Sequence, residues 1–102
     1  MRFGEYLRNL RGQRNWLLRE VAAKTNMDTA LLSKIERGHR NAHKEQVSAF
    51  AKAFNIDEKE LTKQWIADQI VQMLYEQENP TEILKVAEEK IIYLKTNNKN
   101  DN

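Results

Sequence analysis

At 102 residues the chain accommodates one ordinary domain and is too short for two, and its 40% apolar content supports a modest core. The absence of cysteine excludes a disulfide framework and a thiolate metal site. No stretch approaches the roughly 18 apolar residues of a membrane span, and residues 1–12 lack the apolar run of a signal peptide, so the expected location is cytoplasmic with no membrane partner. The net charge of +2 hides an asymmetry: residues 1–40 carry nine Lys or Arg against four Asp or Glu, and residues 62–102 carry five against seven. The N-terminal part is therefore the candidate phosphate-binding surface.

One proline, three glycines and few β-branched runs predict an all-α chain. The first helix is predicted over 2–14, with Phe3, Leu7 and Leu10 on one face and Tyr6 beside them. Gly12 weakens it by about 1 kcal/mol relative to Ala. The second is predicted over 17–24, facing inward with Leu18, Val21 and Ala22. Leu17 is a poor cap, and Asn15 serves instead if the helix begins a turn earlier. In the turn 25–27, Asn26 suits the left-handed backbone position. Asp28 caps the third helix, Leu32 and Ile35 face the core with Leu31 at the margin, and Gly38 ends it.

A polar loop, 39–43, leads to a fourth helix over 44–54 that buries Val47, Phe50 and Ala51. Asp57 caps a fifth helix with Glu60 three residues on, and Ile56 and Leu61 form a hydrophobic staple. The pattern stays helical over 62–78, with Trp65, Ile66, Ile70, Met73 and Leu74 as its apolar residues. Asn79 and Pro80 then start a last helix over 80–95, again with an acid, Glu82, at the third position. It presents Ile83, Val86 or Ala87, Lys90 or Ile91, and Leu94 on one face. The tail 96–102 is nearly devoid of apolar residues and is expected to fray.

The stretch 17–38, LLREVAAKTNMDTALLSKIERG, reads as two short helices joined by a tight turn, the second presenting small and polar side chains. A short helix of that kind on a basic half-chain is suited to the major groove of DNA. The runs LREVA at 18–22, LLSKIERG at 31–38 and FNIDEKEL at 54–61, at this helix spacing, resemble the XRE-like (Cro and phage-repressor type) helix-turn-helix family over roughly residues 3–61. The resemblance implies a five-helix DNA-binding domain, 1–61, whose third helix enters the major groove. It also implies an ion pair between Arg11 and Glu36 that ties the first helix to the third and serves the scaffold. Carried onto this sequence, the base-reading positions are Asp28, Thr29, Ala30, Ser33 and Lys34. Thr29 and Ala30 suit a thymine methyl, Thr29 and Ser33 suit several base acceptors, and Asp28 either caps only or accepts from a cytosine.

Phosphate contacts are expected from Arg14, Arg19, Lys34, Arg37, Arg40 and Lys44, the alternative for each being a solvated charge. For Arg8 and Lys24 the solvated reading is preferred. The sequence departs from the family where Trp16-Leu17-Leu18 replaces the usual Thr or Ser and Gln, which removes a cap and a backbone–phosphate contact. One of these apolar residues is expected to be exposed or to pack on the C-terminal extension. It departs again at Ala42 and His43, where Asn41 is the substitute cap.

His39 and His43 straddle a loop without a nearby cysteine and make a poor zinc site, so no metal and no cofactor is expected. Neither Ser33 nor Ser48 has a nucleophile setting and no glycine-rich phosphate loop occurs, so no enzyme activity is expected. The two helices of 62–95 carry more apolar residues than a hairpin can bury by itself. They are read as a dimerisation element through Trp65, Ile66, Ile70, Met73, Leu74, Ile83, Ile91 and Leu94, the alternative being an enlarged monomer core. The expected function is sequence-specific binding of double-stranded DNA by a homodimer, as a small transcriptional regulator of repressor or restriction–modification controller type. The alternative is an antitoxin or other protein-interaction module that turns the same fold to a protein partner.

Overall fold

The computed structural model describes residues 1–100, with side chains described for 1–98. Six helices make up its regular structure among the described residues: α1 (Phe3–Gln13), α2 (Leu18–Thr25), α3 (Thr29–Glu36), α4 (Lys44–Phe54), α5 (Glu58–Leu74) and α6 (Pro80–Asn100). The chain divides into two units, Met1–Ile70 and Val71–Asn102.

In the first unit α1 packs on α3, and α2 packs on both α3 and α4. The core draws Phe3 and Leu7 from α1, Val21 and Ala22 from α2, Leu32 and Ile35 from α3, Val47, Phe50 and Phe54 from α4, and Leu61 from α5. Each sits at the apolar spacing of its helix, so burial of one stripe per helix accounts for the assembly.

The helix ends share one device. Asn15, Asn26, Gly38 and Asn55 adopt positive φ of 56°, 55°, 77° and 55°. After each, the next N–H reaches back five residues: Trp16 to Arg11, Met27 to Ala22, His39 to Lys34 and Ile56 to Ala51. This pattern satisfies the last carbonyls of a helix, and Asn adopts the left-handed conformation more readily than other residues with a side chain. Asn15 therefore ends α1 and does not cap α2.

Helix starts are handled with equal economy. Asp28 Oδ1 accepts from Ala30 N–H at 2.9 Å and Asp57 Oδ1 from Lys59 N–H at 3.2 Å. Where the cap side chain makes no cap hydrogen bond, the residue three positions on turns back. Glu5 accepts from Arg2 N–H at 3.1 Å, Glu20 from Leu17 N–H at 3.0 Å, and Gln46 from His43 N–H at 2.7 Å. Half a capping box thus stands in for the missing cap at Leu17 and at His43, and His43 rather than Asn41 holds the cap position of α4.

α5 differs from the expected division at Leu61. The predicted fifth helix and the first extension helix are one helix, Glu58–Leu74, because nothing between those residues breaks it. Glu60 turns to Lys63 Nζ at 2.7 Å. α5 ends at Leu74, four residues before the predicted end at 78, and the turn 75–79 follows. In the second unit α6 begins at Pro80 and continues to Asn100, past the predicted end at 95. No glycine or proline lies in its way, and propagating a formed helix is far cheaper than starting one. The expected frayed tail is thus helical over 96–100, and its last two residues, 101–102, lie outside the described residues.

Candidate nucleic-acid interface

α2, the turn at 26–28 and α3 form the central motif. Thr25 closes α2 with its hydroxyl donating to Val21 O at 2.8 Å, Asn26 reverses the chain, and Asp28 opens α3. α3 is held by its back: Leu32, Ile35 and Glu36 are buried, while Leu31 and Ser33 are half-buried. Asp28, Thr29, Ala30 and Lys34 are exposed, so α3 offers short side chains at its start and one cation in its last turn to the outside.

Two contacts from α1 fix the other end of α3. Arg11 Nε and Nη2 donate to Glu36 Oε2 and Oε1 at 2.9 and 3.0 Å, and Arg11 Nη1 donates to Trp16 O at 3.1 Å. One guanidinium therefore joins α1, the link into α2 and the last turn of α3. The hydrogen bond with Glu36 holds the Arg11 pKa above its ordinary value, against the opposing cost of burial, and the charge of Glu36 adds to the rise. The second contact is Gly4, where a Cβ would come closer than 3.0 Å to the backbone oxygens of Ile35 and Glu36. Only glycine allows α1 to lie this close to α3.

The expected phosphate residues divide. Arg19, Lys34, Arg37, Arg40 and Lys44 are exposed. Arg37 Nε donates weakly to Ser33 O at 3.3 Å, one turn back on its own helix. Arg14 corrects the expectation. Its Nη1 donates to Leu10 O at 3.0 Å and its Nη2 to Phe54 O at 2.7 Å, with Cζ 5.6 Å from the centre of the Trp16 ring and 5.2 Å from that of Phe54. The terminal carbonyls of α1 and α4 and two aromatic faces engage this guanidinium, so it serves the fold.

The apolar replacement at 16–18 also resolves. Trp16 stacks on Phe54 with ring centres 5.6 Å apart and planes 14° from parallel, and Lys24 Nζ lies 4.7 Å from the Trp16 centre. Leu18 is half-buried against the core, whereas Leu17 is 49% exposed at the head of α2. Trp65, expected at a dimer interface, belongs at least in part to the core of its own domain. It packs against that core and its indole N–H donates to Ala42 O at 2.9 Å. The hydrogen bond explains the placement, since a half-buried indole needs an acceptor. Of the other expected interface residues, Ile66, Ile70, Met73, Ile83, Ile91 and Leu94 are exposed and Leu74 is half-buried.

Sequence reasoning missed Gly4, the structural role of Arg14, and Asp68, whose carboxylate accepts from Phe3 N–H at 3.0 Å and from Arg2 Nε at 2.6 Å. No local pattern announces a partner 65 residues away. Among the described residues no cluster of three or more His, Cys, Asp or Glu is placed to hold a metal, and no helix is long and apolar enough to cross a membrane.

A helix held from behind, opening on an acidic cap and fronted by exposed small side chains, defines a helix-turn-helix of the DNA-binding kind. The sequence profile of the family described as "Helix-turn-helix domain" matches residues 2–64, more than half of the chain. The chain belongs to that family, and its domain is of the XRE/Cro-like DNA-binding type. Five chains of solved structure match it. One is the restriction-modification controller protein C.AhdI from Aeromonas hydrophila, 30% identical, with a TM-score of 0.55 and a likeness covering 58% of this chain and 89% of that one. No curated protein matches the chain. It is thus a DNA-binding helix-turn-helix protein related to a restriction–modification controller.

Proposed function

We propose that the chain is a sequence-specific transcriptional regulator of the repressor or controller type that reads a two-fold operator as a homodimer. The observation that carries this reading is the exposure of Asp28, Thr29, Ala30 and Lys34 on a helix whose other face is buried. With α3 in the major groove, Thr29 and Ala30 meet thymine methyls, Thr29 and Ser33 meet base acceptors, Lys34 meets a base edge or phosphate, and Asp28 meets a cytosine amino group if it does more than cap. Arg19, Arg37, Arg40 and Lys44 contact phosphates and set register rather than sequence. One such helix offers few base contacts, and two copies related by a two-fold axis double them, with recognition helices about 34 Å apart. The likeness to a restriction–modification controller supports a regulatory role.

The C-terminal extension supplies the dimer surface in this reading. Ile66, Ile70 and Met73 lie at helical spacing on α5, and Ile83, Ile91 and Leu94 lie on α6; all are exposed in the single chain. Exposed apolar area on this scale marks an association surface. Light scattering at tens of micromolar protein is expected to give the mass of two subunits, and the mass of one contradicts the dimer. Binding to duplex DNA is expected to fall steeply between about 50 and 200 mM salt. A second reading, a module that binds a protein partner such as a toxin, is favoured by the exposed Leu17 at the head of α2. It predicts binding that salt hardly alters.

A further inference from the structure

The start of α1 is held from a distant part of the chain. Asp68, on α5, lies beyond the residues that the family profile matches. Its Oδ1 accepts from the Phe3 backbone N–H at 3.0 Å and from Arg2 Nε at 2.6 Å, and its Oδ2 accepts from Arg2 Nη2 at 3.2 Å. The Asp68 side chain is 13% exposed, against 47% for Arg2. A carboxylate on the first N–H of a helix combines a charge-assisted hydrogen bond with the favourable field of the helix end.

The residue after Phe3 is Gly4, where α1 touches the carbonyls of Ile35 and Glu36 with no side chain between. Arg11 grips Glu36 about two turns further along α1. The DNA-reading helix is therefore clamped at two points by α1, and Asp68 fixes the end of α1 at the closer of them. Close-packed backbone transmits a shift instead of absorbing it, so movement at Phe3 reaches the last turn of α3.

We infer that Asp68 is a positioning residue for base reading: it seats the first turn of α1 and, through Gly4, sets the attitude of α3 in the groove. The inference rests on the operator reading above. It places the determinant of α3 geometry on α5, outside the helix-turn-helix itself.

The test measures equilibrium binding of the full chain to a selected operator and to a scrambled duplex of equal length. The variants are Asp68→Ala, Asp68→Asn and Arg2→Ala. Asn keeps an acceptor for Phe3 N–H, and Arg2→Ala leaves the carboxylate on that N–H. Asp68→Ala is expected to weaken operator binding about tenfold while changing scrambled-duplex binding less than about twofold, so that specificity falls rather than folded fraction. Asp68→Asn and Arg2→Ala are expected to stay within about twofold of the parent on both duplexes. Equal losses on the two duplexes, operator binding by Asp68→Ala within about twofold of the parent, or an equal effect of Arg2→Ala each overturns the inference. If Asp68→Ala does not fold, Asp68→Gln, which displaces the acceptor by one methylene, is read by the same ratio. A parent protein with no preference for any duplex contradicts the operator reading instead.

Discussion

Two glycines of the same helix make opposite predictions. A Cβ at Gly4 would come closer than 3.0 Å to the backbone of α3, whereas nothing lies within 4 Å of a Cβ at Gly12. Gly4→Ala is expected to destabilise the domain by about 2 kcal/mol through overpacking. Gly12→Ala is expected to stabilise it by about 0.5–1 kcal/mol by restricting the unfolded chain. Urea unfolding of the two variants checks both signs. The arginines divide in the same way. Arg14→Ala is expected to lower thermal stability and leave the salt slope of DNA binding unchanged, because its guanidinium is spent on Leu10 O and Phe54 O. Arg40→Ala is expected to leave stability unchanged and reduce that slope by about one counterion. The Arg11 pKa is raised by Glu36, so the stability that the arginine's own ionisation contributes is present below its ordinary value and is lost only as strong alkali removes that proton. Residue identities were legible where a local rule applied, as at Asn26, Asp28 and Gly38. They were not legible where a side chain chooses among distant carbonyls, as Arg14 and Trp65 do.

The elements followed from apolar spacing and capping chemistry. α4 occupies the predicted residues because its buried stripe is well defined, and α3 starts at the predicted Asp28 cap because a buried stripe follows a definite start signal. The missing caps at Leu17 and His43 are visible in the sequence, and the acceptors that replace them, Glu20 and Gln46, stand three residues on in each case. The family resemblance ends at Leu61, but no helix breaker stands there, and α5 runs through it. Trp65 sits on that continuous helix, just past the end of the family match. Trp65→Phe keeps most of the ring and removes the donor to Ala42 O, so a loss of about 1 kcal/mol is expected, read by thermal denaturation. Oligomeric mass is expected to stay unchanged in the same variant, because Ile66, Ile70 and Met73 carry the exposed stripe of α5.

At the scale of the whole molecule, the charge asymmetry and the exposed apolar residues point to a division of labour. The first unit carries the helix-turn-helix, with its acidic-capped α3 and surrounding arginines and lysines. α6, in the second unit, exposes Ile83, Ile91, Ile92 and Leu94, more apolar surface than an isolated helix keeps in water without a partner. Selection of duplexes from a random pool at low salt asks whether two copies of α3 read a two-fold operator. The expected result is enrichment of inverted repeats whose half-sites lie about one helical turn apart, roughly 10 base pairs, or a multiple of it. Recovery of no preferred duplex, or of single sites without a symmetric mate, contradicts it.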